Sequence, residues 1–271
     1  MVPEREPECQ RHQESPSENV ADSGRKYVPE ESIAPAWSIA HPHDVNDAYH
    51  SLSIEGYRVT PELIERVRSG NWNPEENQDD REQRNALAAR GYWQAYQSVR
   101  KSIALILGGA NAGAIADDDH RNWYREMFAP GITAGLLQPG DLAGYRNAPV
   151  YILRSMHVPP NREAVRDAMR AFVDLVREET EASVRVVLGH FIFVYIHPYM
   201  DGNGRMGRFL MNSMMASGGY PWTIIPLEKR AEYMASLERA SVHQDIEPFT
   251  NFLGGLVKAG LAGEAIPEIP K

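Results

Sequence analysis

The chain has 271 residues, enough for one large domain or two small ones. Its net charge of −9, with no stripe of Lys and Arg, argues against nucleic-acid binding by phosphate neutralisation. No apolar stretch is long enough to span a bilayer, and the first residues do not have the pattern that predicts a secretory signal. The single cysteine, Cys9, cannot form an internal disulfide. We therefore expect a protein of a reducing compartment, the cytoplasm.

The first half of the chain predicts a polar tail followed by helices. Residues 1–36 hold few apolar side chains and are predicted to be disordered, because they bury too little surface to offset their ordering entropy. Thr60 is predicted to cap a helix that begins at Pro61 and runs through Val67. A long helix follows over 81–107. The Gly- and Ala-rich stretch 108–116 is expected to break it before another helix over 118–128.

The second half is predicted to be helical except for one segment. Residues 144–160 carry β-branched side chains between Gly144 and two prolines, which predicts a short β-hairpin. Apolar residues at helical spacing predict helices over 161–177, 181–196, 227–240 and 247–258, and another that starts near Gly204. We expect an N-terminal helical region over 37–110, a main domain over 111–260 and a C-terminal tail over 261–271.

The loop between the helix ending at Ile196 and the one near Gly204 carries the most informative residues, His197-Pro198-Tyr199-Met200-Asp201-Gly202-Asn203-Gly204-Arg205-Met206-Gly207-Arg208. Pro198, Gly202 and Gly204 force a tight turn. Glycines let backbone N–H groups approach an anion, and the following helix N-terminus adds partial positive charge. The loop is therefore predicted to bind phosphate groups.

Charged side chains of the same loop complete a site for nucleotidyl transfer. Arg205 and Arg208 are three residues apart on one helix face, where both can reach a polyphosphate. Asp201 offers a hard oxygen ligand suited to Mg²⁺. His197 titrates near neutral pH, as a general base must. Each element alone is ordinary turn or helix chemistry, but their combination in twelve residues indicates a catalytic loop.

This segment resembles the signature of Fic proteins, H-P-F-x-D/E-G-N-G-R-x-x-R, with Tyr199 in place of the usual Phe. The resemblance implies a helical Fic fold and transfer of AMP from Mg-ATP to a hydroxyl side chain of a target protein. It makes His197 the base that deprotonates the hydroxyl and Asp201 the Mg²⁺ ligand. The nucleotide-binding residues that it implies are Glu55, Gly202, Asn203, Gly204, Arg205, Met206, Gly207, Arg208 and Tyr233.

Other parts of the chain also resemble the family. The predicted hairpin is similar to the flap, which implies that residues around 146–158 hold a target protein beside ATP by backbone pairing. Tyr233 would line the adenine pocket, although a core position is equally open. Gly204 favours AMP transfer, because the related Doc toxins, which phosphorylate their targets, commonly carry Lys at the corresponding position.

Ser51-Leu52-Ser53-Ile54-Glu55-Gly56 is similar to the family's inhibitory motif, S/T-x-x-x-E-G/N. Glu55 would compete with the γ-phosphate for Arg208, because both are anionic acceptors for one guanidinium. Ser51, one turn earlier, would help hold Glu55, and Gly56 would end the helix. The resemblance thus implies an enzyme with an N-terminal brake.

Three possibilities stay open at this stage. The chain is an AMP transferase restrained by Glu55, a bifunctional enzyme that also removes AMP with Glu55 orienting a water, or a non-catalytic Fic-like binding module. The intact loop argues against the last. Self-modification and homo-oligomerisation are further possibilities. The target protein and the signal that releases Glu55 are not encoded in any motif.

Overall fold

The computed structural model describes residues 44–70, 84–264 and 267–269. The predicted tail over 1–36 lies outside these residues. Within them the protein is mainly helical, as predicted, with no β-strand. The helices are α1 (Asp44–Ile54), α2 (Pro61–Arg68), α3 (Arg84–Leu107), α4 (Ala112–Thr133), α5 (Arg162–Glu178), α6 (Ala182–Ile196), α7 (Asn203–Ser217), α8 (Arg230–His243) and α9 (Glu247–Leu261), with short 3₁₀ helices at Pro139–Leu142 and Leu227–Lys229. None of these helices combines the length and apolar character needed to cross a membrane.

Helix α7 lies at the centre of the fold. From Asn203 to Ala216, every residue except Gly204 is buried, which is typical of a helix enclosed on all sides. It packs against α6, α3, α4 and α1. The hydrophobic core is continuous and takes residues from α1 to α9. Because α7 begins directly after the loop 197–202, this core fixes the position of the candidate catalytic loop.

Helix α4 is longer than the sequence predicted. It begins at Ala112, so that only 108–111 separate it from α3. The Asn111 side chain caps it by accepting from the N–H of Ala114 at 2.9 Å. Gly113 lies within the helix, at a position where α5 packs too closely for a side chain. A Cβ there would lie 2.5 Å from the backbone of Arg177 in α5. The glycine thus serves close helix packing, whereas the sequence pattern suggested a break.

The predicted β-hairpin is wrong. Residues 144–160 form an irregular segment whose backbone groups make no strand ladder. The carbonyls of Ala148 and Pro160 accept from the Arg146 guanidinium, and Glu238 of α8 accepts from the Met156 N–H at 2.7 Å. Side chains therefore hold this segment where cross-strand pairing was expected. We call residues 146–158 the flap segment.

Candidate active site

The loop after α6 turns sharply because two of its residues adopt left-handed backbone conformations. His197 ends α6 with φ 53° and ψ 59°, and its N–H still donates to the Phe193 carbonyl at 3.0 Å. Gly202 has φ 82° and precedes the first residue of α7. A non-glycine residue in this region is strained and is kept there only by surrounding contacts. The contacts that hold His197 are therefore part of the site.

The Asn203 side chain closes the loop from inside. Its Oδ1 accepts from the Tyr199 N–H and its Nδ2 donates to the Tyr199 carbonyl, both at 2.9 Å. Both polar atoms of this buried amide are thus used within the loop. The resemblance implied that Asn203 binds the nucleotide. In the structure its side chain shapes the backbone of the loop.

His197 has the protonation state that a general base needs. Its Nδ1 lies 3.2 Å from the Val194 carbonyl, which can only accept, so Nδ1 carries the proton and Nε2 presents a lone pair. Burial lowers the pKa of His197, and the positive charge of Arg146 lowers it further. The imidazole is therefore neutral at physiological pH.

Arg208 forms an ion pair with Glu55 of the α1 C-terminus. Its Nη2 lies 2.8 Å from Glu55 Oε1, and the guanidinium side chain is 5% exposed. Ser51 contributes two further contacts, since its Oγ accepts from Arg208 Nε and its carbonyl from Nη2, both at 2.8 Å. Ser51 thus holds the arginine, whereas the sequence interpretation had it hold the glutamate.

Gly56 is placed as the sequence predicted, just past the end of α1. It has φ 87°, and its N–H donates to the Ser53 carbonyl at 3.0 Å. The next N–H, from Tyr57, donates to Leu52 at 3.1 Å. This pair of bonds is a Schellman motif, which requires the left-handed conformation that glycine adopts most readily. The turn leaves Glu55 at the helix end, aimed at α7.

Arg205 is buried between two aromatic rings. Its guanidinium carbon lies 5.1 Å from the Tyr57 ring centroid and 5.3 Å from that of Phe128. The side chain is 1% exposed, and its Nη2 forms an ion pair with Asp201 Oδ1 at 3.4 Å, but neither Nη2 nor Nε makes a hydrogen bond among the described residues. Buried cationic donors without acceptors are costly unless a ligand supplies them. The arrangement fits an anion bound at this end of α7.

Asp201 fits the role of a magnesium ligand. Its side chain is 61% exposed at the loop surface, and Oδ1 accepts from the Gly202 N–H at 2.6 Å. The described residues hold no cluster of three or more His, Cys, Asp or Glu side chains that could bind a metal. A lone carboxylate suits Mg²⁺, which is commonly held by one or two carboxylates together with waters and substrate phosphates.

Three of the residues that the resemblance implied for nucleotide binding, Met206, Gly207 and Tyr233, lie in the protein core. Met206 is fully buried, and a Cβ on Gly207 would lie 2.8 Å from the Val194 side chain. Tyr233 is 1% exposed and its hydroxyl is hydrogen-bonded to His190 at 2.7 Å. Burial lowers the pKa of His190 to about 4, so this imidazole is neutral. Met206 and Gly207 thus pack α7 into the core, and Tyr233 lies on the core side of the Arg208 side chain.

Two charged residues beside the site had no assigned contact in the sequence interpretation, which did not mention Asp47 and gave Arg146 only as the start of the flap. Asp47, one turn before Ser51 on α1, is buried and accepts from the Tyr92 hydroxyl at 2.6 Å and from Trp222 Nε1 at 3.1 Å. Arg146 is buried against the catalytic loop. Each is a single charged residue in an unremarkable sequence context, so no spacing rule could have identified it. Only burial marks them.

The fold and the loop together define a helical protein with a glycine-containing loop, a neutral histidine and two buried arginines at one helix N-terminus. Residues 118–215 match the model of the Fic/DOC family. The predicted resemblance is thereby confirmed.

Similar proteins carry the same family name. The chain is 35% identical over 143 residues to protein adenylyltransferase fic-1 of Caenorhabditis elegans, covering 51% of this chain and 26% of that protein. It is 37% identical over 123 residues to protein adenylyltransferase Fic of Nematostella vectensis, covering 44% of this chain and 28% of that protein. The matches thus span about a quarter of the length of these curated relatives.

Solved structures show the same fold. A fragment of C. elegans Fic-1 superposes with a TM-score of 0.64 at 22% identity, covering 86% of this chain and 69% of that one. A Fic-domain signalling protein of Bacteroides thetaiotaomicron superposes with a TM-score of 0.61 at 18% identity, covering 89% and 99%. At these identities the likeness establishes the fold alone.

Proposed function

We propose that this protein transfers AMP from Mg-ATP to a hydroxyl side chain of a target protein, and that Glu55 restrains the reaction. One observation carries the proposal: the loop that presents His197 and Asp201 leads into a helix whose two arginines face an anion site, and a carboxylate of the same chain already occupies Arg208 at 2.8 Å. The curated relatives that match the chain are named protein adenylyltransferases, which supports the same chemistry.

Each residue of the loop has its own role in the proposed reaction. His197 Nε2 accepts the proton of the target hydroxyl, whose oxygen then attacks the α-phosphorus of ATP. The bond from that phosphorus to the α,β-bridging oxygen breaks, and pyrophosphate leaves. Arg205 and Arg208 balance the charge of the β- and γ-phosphates, and the α7 N-terminus faces the α-phosphate. Asp201 would hold Mg²⁺, which would supply neutralisation of phosphate charge.

Glu55 acts as the restraint because it and the γ-phosphate need the same guanidinium. Arg208 is buried, and its Nε and Nη2 are already bonded to Ser51 and Glu55, so a phosphate can take the place of Glu55 on Nη2 only by displacing the carboxylate. A nucleotide that binds while Glu55 is paired with Arg208 is weakly held or has its α-phosphate misaligned. Catalysis of this kind depends on positioning, so either effect lowers the rate. Removal of the Glu55 carboxylate leaves Arg208 open to the nucleotide.

The flap segment is the proposed contact with the target. Tyr151, Leu153 and Met156 are at least 80% exposed there, and backbone pairing with an extended target peptide needs no particular target sequence. A neighbouring copy of the chain offers hydroxyls as well, so self-modification belongs to the proposal, and a homo-oligomer would favour it. A cytoplasmic location remains a prediction from the sequence.

The experiment uses Glu55→Gly protein incubated with Mg²⁺ and ATP labelled on either the α- or the γ-phosphate. AMP transfer leaves label on protein only from the α-position, in the chain itself and in a host lysate, where mass spectrometry identifies the modified side chain. Glu55→Gly/His197→Ala protein is the control for the base. Label from the γ-position would mean phosphate transfer, and no label from either would overturn the proposed activity.

A further inference from the structure

Arg146, at the start of the flap segment, is 5% exposed and has no carboxylate partner among the residues that the structure describes. Within that part of the chain its guanidinium donates only to main-chain carbonyls. Nε donates to His197 at 2.8 Å, Nη1 to Ala148 at 3.2 Å and Nη2 to Pro160. Its own N–H donates to the Pro198 carbonyl at 2.8 Å. One residue thus ties the catalytic loop to the start of the flap segment and to Pro160, two residues past its end.

Burial of the Arg146 guanidinium costs free energy, which indicates that its contacts serve a function. A guanidinium removed from water without a counter-ion loses most of its hydration, and burial lowers the pKa of Arg146. A neutral hydrogen-bonding residue would tie the flap segment at smaller cost, but only the planar fork of arginine reaches three carbonyls in fixed directions. Two of these carbonyls belong to the flap segment or its end, and the third belongs to His197, whose backbone is strained.

We propose that Arg146 is the positioning residue of the general base: it holds the main chain of His197 and Pro198 in register with the flap segment, so that the imidazole and the target hydroxyl meet in one geometry. The inference rests on the proposed AMP transfer. It assigns to Arg146 no contact with ATP. The target side chain is carried by the flap segment and the base by the loop, and Arg146 is the link between the two.

The charge of Arg146 acts in the same sense as its geometry. The groups that face His197 are Arg146, His157 and Glu55. Arg146 and His157 lower the pKa of His197, Glu55 raises it, and burial has the largest effect, downward. Arg146 therefore favours the neutral imidazole that accepts a proton. Loss of its charge should raise the pKa of His197, and loss of its geometry alone should not.

The test compares Arg146→Met and Arg146→Lys in the Glu55→Gly protein, with Arg185→Met as the matched control. Arg185 is likewise a buried arginine that donates to carbonyls, those of Glu179 and Thr180, and also to the Ser217 hydroxyl, but it lies in the first turn of α6. Steady-state AMP transfer gives kcat and KM for ATP. NMR titration of the imidazole gives the pKa of His197 without any turnover, and circular dichroism checks the fold.

We expect Arg146→Met to lower kcat by about 10²-fold, the effect of an ångström-scale misplacement, while KM for ATP keeps the parent value. The pKa of His197 should rise in that variant. Arg146→Lys should lose less activity and keep the parent pKa, and it decides the question if the Met variant does not fold. Arg185→Met should keep both kcat and the pKa.

Two results would overturn the inference. One is a kcat of Arg146→Met and Arg146→Lys equal to that of the parent. The other is a rise in KM for ATP that accounts for the whole loss, since that would make Arg146 a nucleotide contact or a general stabiliser. A parent Glu55→Gly protein that transfers no AMP would refute the proposed activity instead, and an unchanged His197 pKa in Arg146→Met would then still count against Arg146.

Discussion

A Cβ atom on Gly204 would lie 2.2 Å from Oε1 of Glu55, so the missing side chain at position 204 is what allows the glutamate to reach α7. The same atom would lie 3.3 Å from Arg208 Nη1. The glycine was singled out in the sequence for its phosphate-binding backbone. In the structure it also makes room for the Glu55–Arg208 ion pair, so one residue serves both the catalytic loop and its restraint.

The Glu55–Arg208 contact predicts graded activation. Glu55→Gly should raise AMP incorporation over wild type, because it frees the guanidinium for the γ-phosphate. Glu55→Gln should raise it less, because the amide oxygen still accepts from Arg208 without a charge. The measurement is incorporation of labelled AMP at equal protein concentration. Equal rates for all three proteins would show that the α1 C-terminus is an ordinary helix end.

The position of Ser51 predicts a loss of stability with little activation. Ser51→Ala leaves Arg208 Nε without its acceptor, and an unsatisfied buried donor costs about 1–3 kcal/mol. The Ser51 carbonyl and Glu55 still hold the arginine, so AMP transfer should stay near the wild-type rate. Urea unfolding and AMP incorporation measure the two effects, with Ser53→Ala on the same helix as control. Activation equal to that of Glu55→Gly would restore the interpretation in which Ser51 holds the glutamate.

His197 and Arg208 should fail in different ways when each is replaced in the Glu55→Gly protein. His197→Ala removes the base and should reduce transfer by about 10²–10⁴-fold while ATP still binds. Arg208→Ala removes the contact to the γ-phosphate and should weaken ATP binding itself. Calorimetric titration with Mg-ATP, alongside AMP incorporation, separates the two. Transfer by the His197→Ala protein at the parent rate would refute its role as base.

Asp47 predicts a specific dependence of stability on pH. Burial raises its pKa from 3.8 to about 6 in the folded protein. A carboxyl group with a raised folded-state pKa stabilises the fold below its unfolded pKa and loses that contribution as pH rises through the folded value. The free energy of unfolding of wild type, relative to Asp47→Asn, should therefore fall as pH increases from 3.8 to about 6. Urea unfolding of both proteins across this range is the measurement, and a constant difference would contradict it.

Tyr199 predicts a stabilising substitution. Its hydroxyl is buried and has no hydrogen-bond partner among the described residues, while its ring stacks on Tyr124 with centroids 3.7 Å apart. Tyr199→Phe keeps the stack and removes the unsatisfied group, so it should raise the free energy of unfolding by about 1 kcal/mol. Tyr92→Phe is the control and should lose stability, because that hydroxyl donates to Asp47. A loss in both variants would mean that the Tyr199 hydroxyl has a partner after all.

The helices were predictable because their signals are local. Thr60 caps α2 through the Leu63 N–H at 3.2 Å, as the sequence indicated, and α5 begins where it was predicted, with Asn161 as its cap through the Ala164 N–H at 2.9 Å. The start of α4 was not predictable, because glycine usually signals a helix break, whereas Gly113 is needed for the close approach of α5 to α4. The β-hairpin prediction for the flap segment was wrong because contacts with distant residues decided its structure. β-branched residues favour strands, but a buried arginine and Glu238 of a distant helix take the groups that a hairpin would have paired.

The sequence by itself determined the catalytic loop, because base, carboxylate, glycines and arginines lie within twelve residues and a tight turn must bring them together. It also indicated the pairing of Glu55 with Arg208, through the resemblance of a second short motif. Only the tertiary structure decided which groups hold these residues in place. Ser51 grips the arginine, Tyr233 supports α7 from the core, and Arg146 fixes the backbone of the base. Such contacts join residues far apart in the chain, and burial, which gives them their strength, is a property of the packed fold.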